Sequence, residues 1–132
     1  MTATRPFVLI VDDEPQICAP LKTFAERHGY EAAVASDCDG MMAVLRERRV
    51  DMLMLDWKIG LERGDWVFEM AKAQQAHLAT STAFMTGDVT TEAAEILEIY
   101  AVPVLRKPFN LQVFRQLLHK LAPPRGREDA QA

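Results

Sequence analysis

Short unbroken apolar runs alternate along this chain with segments whose apolar residues recur at three- and four-residue spacing. Phe7–Val11 is apolar at every position, as expected of a strand buried on both faces. Pro15 suits the first turn of a helix, and Ile17, Leu21, Phe24 and His28 mark one face of it until Gly29. Pro20 falls inside that helix, where losing a hydrogen bond costs roughly 3 kcal/mol and predicts a kink. Glu31–Ala35 reads as a weakly signalled second strand. Asp37–Arg48 reads as a second helix, with Met41, Met42, Val44 and Leu45 on its apolar side. Met52–Leu55 is a third buried strand, ending at Asp56. A loop containing Gly60 and Gly64 leads to a helix through Trp66, Val67, Met70 and Ala71. Thr80–Met85 is a fourth strand, Glu92–Tyr100 a short helix, Val102–Leu105 a fifth strand and Leu111–Leu121 a last helix.

Five strand–helix units in strict alternation predict an α/β fold: a doubly wound parallel sheet with helices on both faces and right-handed crossovers. Such sheets bind ligands beyond the carboxyl ends of their strands. The polar residues that stand out all fall there. Asp12 and Asp13 follow the first strand, Asp56 ends the third, Thr86 the fourth, and Lys107 follows the fifth. Residues 1–122 form one domain on this pattern, and the polar, proline-containing stretch 123–132 is expected to be a disordered tail.

Composition narrows the function. A net charge of −4 argues against nucleic-acid or anionic-membrane partners, both of which need a basic face. Arg46, Arg48 and Arg49 cluster, but at a helix end, where cations suit the dipole. No apolar run reaches transmembrane length, and the N-terminal run lacks a cleavage signature, so a cytoplasmic location is expected. Cys18 and Cys38 have no metal spacing and are expected to be reduced, with Cys18 in the core. His28, His77 and His119 are expected at the surface. Trp66, at helical spacing from Met70, is expected in the core, and Trp57 near Asp56.

Asp12, Asp13 and Asp56 on adjacent strand ends make an oxygen-rich site of the kind Mg²⁺ accepts, and the cation would offset their repulsion. Neutralising Asp13 is therefore expected to raise metal-free stability. Glu14 fits better as a first-turn helix acid than as a further acid at the metal. A carboxylate beside Mg²⁺ can also act as a nucleophile on phosphorus, with Lys107 and Thr86 placed to stabilise the phosphoryl oxygens.

"LIVDDEP", "MLMLDWKIGLERG", "AFMTGD" and "VLRKPF", in this order over about residues 6–121, resemble the signature regions of the receiver domain of two-component response regulators. The resemblance implies a flavodoxin-like fold with strand order 2-1-3-4-5. It implies Asp56 as phosphoacceptor, Asp12 and Asp13 as metal acids, the Lys58 backbone carbonyl as a further metal ligand, Thr86 as switch hydroxyl and Lys107 as the phosphate-facing lysine. It implies a cis Lys107–Pro108 bond, Mg²⁺ as cofactor, and a histidine kinase or histidine phosphotransfer protein as phosphodonor. The chain would be a single-domain regulator that switches a protein-binding surface, and not an enzyme beyond its own phosphorylation and dephosphorylation. Val104 stands where the family commonly carries an aromatic switch residue, and Gly60 where it often carries proline. Lys58 and Asp88 are expected to pair over the site and obstruct hydrolytic water. Two rivals remain at this stage. A Mg²⁺-dependent phosphatase-like enzyme would need a second aspartate where Lys58 stands. A non-phosphorylated pseudo-receiver would usually lack an acid or the lysine, and all five polar residues are present.

Overall fold

A computed structural model describes residues 5–87, 91–108 and 110–124, with the side chains of 91 and 92 outside that description. The elements run β1 (Phe7–Val11), α1 (Pro15–Arg27), β2 (Glu31–Ala35), α2 (Cys38–Glu47), β3 (Met52–Asp56), α3 (Gly64–Gln74), β4 (Thr82–Thr86), α4 (Thr91–Tyr100), β5 (Val104–Arg106) and α5 (Leu111–Leu121). The five strands pair in parallel in the order β2-β1-β3-β4-β5. This is the doubly wound parallel sheet the sequence pattern predicts, in the flavodoxin-like order the resemblance implies.

Strand alternation builds two cores. Leu9, Val11, Leu53, Leu55 and Phe84 face one side and pack with Met41 and Leu45 of α2, Val67, Phe68 and Ala71 of α3, and Leu97 of α4. Val8, Ile10, Met52, Met54, Ala83 and Met85 face the other and pack with Cys18, Leu21 and Ala25 of α1 and Phe114 and Leu118 of α5. Because β1, β3 and β4 are buried on both faces, polar side chains are excluded from their middles, and the site groups stand at their carboxyl ends. Among the described residues, no helix is long and apolar enough to cross a membrane.

Several expectations change in detail. Pro20 lies inside α1, as expected, and the helix continues past it to Arg27. The carbonyl that would have bonded to residue 20 belongs to Gln16, an exposed residue that water can reach. β4 starts at Thr82 because residues 76–80 form a short 3₁₀ turn, onto which the buried Thr82 hydroxyl donates at 2.7 Å to the Leu78 carbonyl. β5 starts at Val104 because Pro103 has no N–H for the ladder; its carbonyl only accepts from Phe84 N–H, at 2.9 Å. Asp37 caps α2, accepting from Gly40 N–H at 2.7 Å. Cys18 is buried, as expected. The three histidines are half-buried rather than surface groups: His28 stacks on Phe24, and His77 Nε2 lies 2.7 Å from the Val50 carbonyl. Trp66 is exposed, not core.

Tyr30 is fully buried and its hydroxyl has no hydrogen-bond partner among the described residues. An unsatisfied buried donor opposes folding, whereas a satisfied one supports it. Tyr30→Phe should therefore leave stability unchanged or raise it by up to about 1 kcal/mol, while Thr82→Val, which removes a made bond, should cost about 1–2 kcal/mol. Urea denaturation of both variants checks the contrast; equal losses would contradict it.

Candidate functional site

The apolar strands end together, and their last residues bring the polar groups to one edge. Asp12 follows β1 and is 1% exposed; Asp56 closes β3 at 6%; Thr86 closes β4 at 4%. Lys107 follows β5, held there by its backbone N–H, which donates at 2.8 Å to the Thr86 carbonyl. The Lys107–Pro108 peptide is cis, as the resemblance implies.

The Lys107 ammonium stands 2.9 Å from Asp12 Oδ2, 3.3 Å from Asp56 Oδ2 and 3.3 Å from Glu14 Oε1. Asp12 Oδ1 also accepts from Glu14 N–H at 2.9 Å. Asp13 is exposed, and its Oδ2 accepts from Gly60 N–H at 3.0 Å. Glu14 precedes the first turn of α1, and its carboxylate does not cap that helix. It turns to Lys107 instead and joins the cluster, so its expected role as a helix-end acid gives way to a place at the site.

Asp12, Asp13, Glu14 and Asp56 bring carboxylate oxygens within 4.8 Å of one another. Among the described residues, four acids cluster here and one ammonium reaches three of them; all the donors are hard oxygens, which fits a divalent cation such as Mg²⁺. Burial, then the Asp12 charge, push the Asp56 pKa up to about 6, against the lowering effect of Lys107 and of the Lys58 N–H, 3.4 Å from Asp56 Oδ1. Burial alone would lower the Lys107 pKa, but its bond to Asp12 and the charges of Asp56 and Asp12 outweigh this and raise it. Cys18 lies behind the site, its thiol donating at 3.3 Å to the Asp12 carbonyl. Burial, then the Asp12 charge, push that thiol up to about 11, so it is an inert spacer.

Where a plain loop was expected after Asp56, Lys58–Ile59 pairs with Glu62–Arg63 in a small antiparallel hairpin. Gly60 has φ +60 at the first of its two turn residues, the position where glycine is favoured in such hairpins. Gly-Leu between two short runs was the signal available in the sequence. Asp65, buried beside Arg63, was not anticipated, since nothing in the sequence marks which carboxylate folds inward. Trp57 is buried next to Asp56, as expected. Asp88, the expected partner of Lys58, lies outside the described residues.

The profile of the response regulator receiver domain matches residues 8–119. The chain belongs to this family. Among curated relatives, the nitrogen assimilation regulatory protein NtrX of Azorhizobium caulinodans is 31% identical over 104 residues, covering 78% of this chain and 23% of NtrX. The receiver spans between about a quarter and about half the length of the curated relatives it matches. A solved response regulator receiver protein from Pseudomonas putida aligns at TM-score 0.79 and 23% identity, over 89% of this chain and 98% of that one. A response regulator from Burkholderia pseudomallei, solved with a phosphorylated aspartic acid, a calcium ion and citrate, aligns at TM-score 0.74 and 20% identity, over 96% and 72%.

The raised Asp56 pKa has a consequence for stability. Metal-free, the folded receiver holds the Asp56 proton up to about pH 6, while the unfolded chain releases it near the ordinary 3.8. The native state thus binds more protons between these values, and this group's contribution to stability falls as pH rises through that window. Asp56→Asn should raise metal-free stability above pH 6 by about 1–3 kcal/mol and flatten the dependence between pH 4 and 6. Denaturation midpoints across that range check this; a lower midpoint at pH 7.5 would contradict it.

Proposed function

We propose that this receiver accepts a phosphoryl group on Asp56 from a phosphohistidine of a sensor kinase or phosphotransfer protein, with Mg²⁺ bound, and that the change alters a protein-binding surface. The observation that carries this reading is a nucleophile-type carboxylate beside one ammonium inside a cluster of four acids. The B. pseudomallei relative, with its phosphorylated aspartic acid and its calcium ion, supports it by analogy.

A carboxylate oxygen of Asp56 attacks phosphorus as the P–N bond to imidazole breaks; the leaving nitrogen takes a proton from solvent. At pH 7 Asp56 is mostly ionised even without metal, so it can attack. Asp12, Asp13, Asp56 and the Lys58 backbone carbonyl would hold Mg²⁺, with Glu14 close by. When bound, the metal supplies positive charge for the developing phosphoryl oxygens. Lys107 supplies a second positive charge, already within 3.3 Å of Asp56, and the buried Thr86 at the neighbouring strand end supplies a hydroxyl. The receiver turns over no substrate beyond its own acyl phosphate, and we place it in the cytoplasm, with residues 1–122 as the working unit and 123–132 as a tail.

Thr86 also lines a cavity of about 580 Å³ between α4 and β5, with Leu97, Glu98, Ala101, Val104 and Arg106. Thr86 and α4 thus border the same cavity, which gives a change at Thr86 a route toward that helix. Val104, 37% exposed on the edge strand, has no ring to turn in or out.

Incubation with acetyl phosphate and Mg²⁺, read by intact mass, should add one phosphoryl group to the wild type and none to Asp56→Asn. Continuous release of phosphate without a labelled state would favour the phosphatase-like rival; no labelling would favour the pseudo-receiver. In phosphorylated samples, amide shifts along α4 should lose most of their change in Thr86→Ala and keep it in Val104→Ala. Equal effects of the two substitutions would argue against this route.

A further inference from the structure

The hairpin between Asp56 and α3 is held at three points, and one of them is an ion pair that α3 itself does not favour. At its far end a Cβ on Gly64 would stand 2.8 Å from the Asp56 carbonyl oxygen and 3.0 Å from both the Phe84 ring and Trp57 Cα. Only glycine lets the chain pass that close. At its turn, Gly60 uses positive φ and an N–H that reaches Asp13. Proline at this position could supply neither.

The third point is Arg63. Its Nε and Nη2 donate to Asp65 Oδ1 and Oδ2 at 2.9 and 2.7 Å, a two-bond fork. Asp65 is 7% exposed, and its Oδ1 also accepts from Trp66 N–H at 3.0 Å. The guanidinium stands 5.8 Å from the centre of the Trp57 ring, and Arg63 pairs with Lys58 across the ladder. Arg63 occupies the N-cap of α3, where it offers no capping oxygen and its charge opposes the helix dipole.

We propose that Arg63 and Asp65 are positioning residues for the acid cluster. Their fork fixes the returning strand of the hairpin, which sets Gly60 N–H on Asp13 and the Lys58 backbone against Asp56. Asp13 is the one exposed aspartate of the cluster, so it depends most on this clasp for its orientation. The proposal rests on the reading of the cluster as a Mg²⁺ site.

Two-dimensional NMR of the full chain tests it. In metal-free Arg63→Ala, the Gly60 amide should exchange with solvent about tenfold faster while amides of β1 and β3 keep wild-type rates. A Mg²⁺ titration on the same samples should show affinity about 3- to 10-fold weaker, less than loss of a direct supporting group typically costs. Arg63→Lys keeps the charge but cannot fork, and should recover less than half of the loss. A purely stabilising ion pair would lower the denaturation midpoint and leave Mg²⁺ affinity alone, so affinity within twofold of wild type in Arg63→Ala overturns the clasp. If Arg63→Ala does not fold, wild-type affinity in Arg63→Lys overturns it equally. A wild-type protein without any Mg²⁺ response contradicts the metal reading and the clasp together; a normal wild-type response with an unaltered variant contradicts the clasp alone.

Discussion

One ammonium among four carboxylates governs this edge of the molecule. Lys107 bonds Asp12 and approaches Asp56 and Glu14, yet burial and the Asp12 charge still push Asp56 upward. Metal-free, the site is thus short of positive charge around Asp12 and Asp56, which are buried from water. On the proposed function, a hard divalent cation would correct the imbalance, and a phosphoryl group entering with its own negative charge would meet both that cation and the lysine. The same shortage that opposes folding is what makes the site receptive.

The rest of the fold serves this edge. Strands buried on both faces are apolar through their middles, so polar residues such as Thr82 and Asp56 stand where a strand begins or ends. Parallel pairing puts all those ends on one side. Lys107 comes from β5, at the sheet's edge, and Asp12 from β1, with β3 and β4 between them. No local segment could assemble these groups. The hydrogen bond from Lys107 N–H to the Thr86 carbonyl ties the lysine to the strand end that borders the α4–β5 cavity. Charge at the site and shape at that cavity therefore share one backbone link.

What the sequence discloses follows the same division. Uninterrupted apolar runs such as Phe7–Val11 and Met52–Leu55 mark central strands because burial on both faces leaves no other composition. The acids and Lys107 are readable because strand ends are where such fold types place ligands. Side-chain choices decided by tertiary contact are not readable. Glu14 turns to Lys107 rather than its own helix, Trp66 turns outward despite helical spacing from Met70, and Asp65 turns inward onto Arg63. Each depends on a neighbour whose position the local pattern does not encode. The hairpin after Asp56 stood between these cases: its Gly-Leu turn was visible, but its bond to Asp13 bridges 47 positions along the chain.

The central claim is that the acid cluster is charge-deficient until a divalent cation binds. Carbon-detected NMR titration of the Asp56 carboxyl, with and without Mg²⁺, tests it at the atom concerned. Metal-free, the midpoint should lie near 6. At saturating Mg²⁺ it should fall to about the ordinary aspartate value of 3.9 or lower, because bound positive charge favours the ionised form. A midpoint that stays near 6 at any Mg²⁺ concentration would show that the cation does not sit among these carboxylates, and would contradict the account.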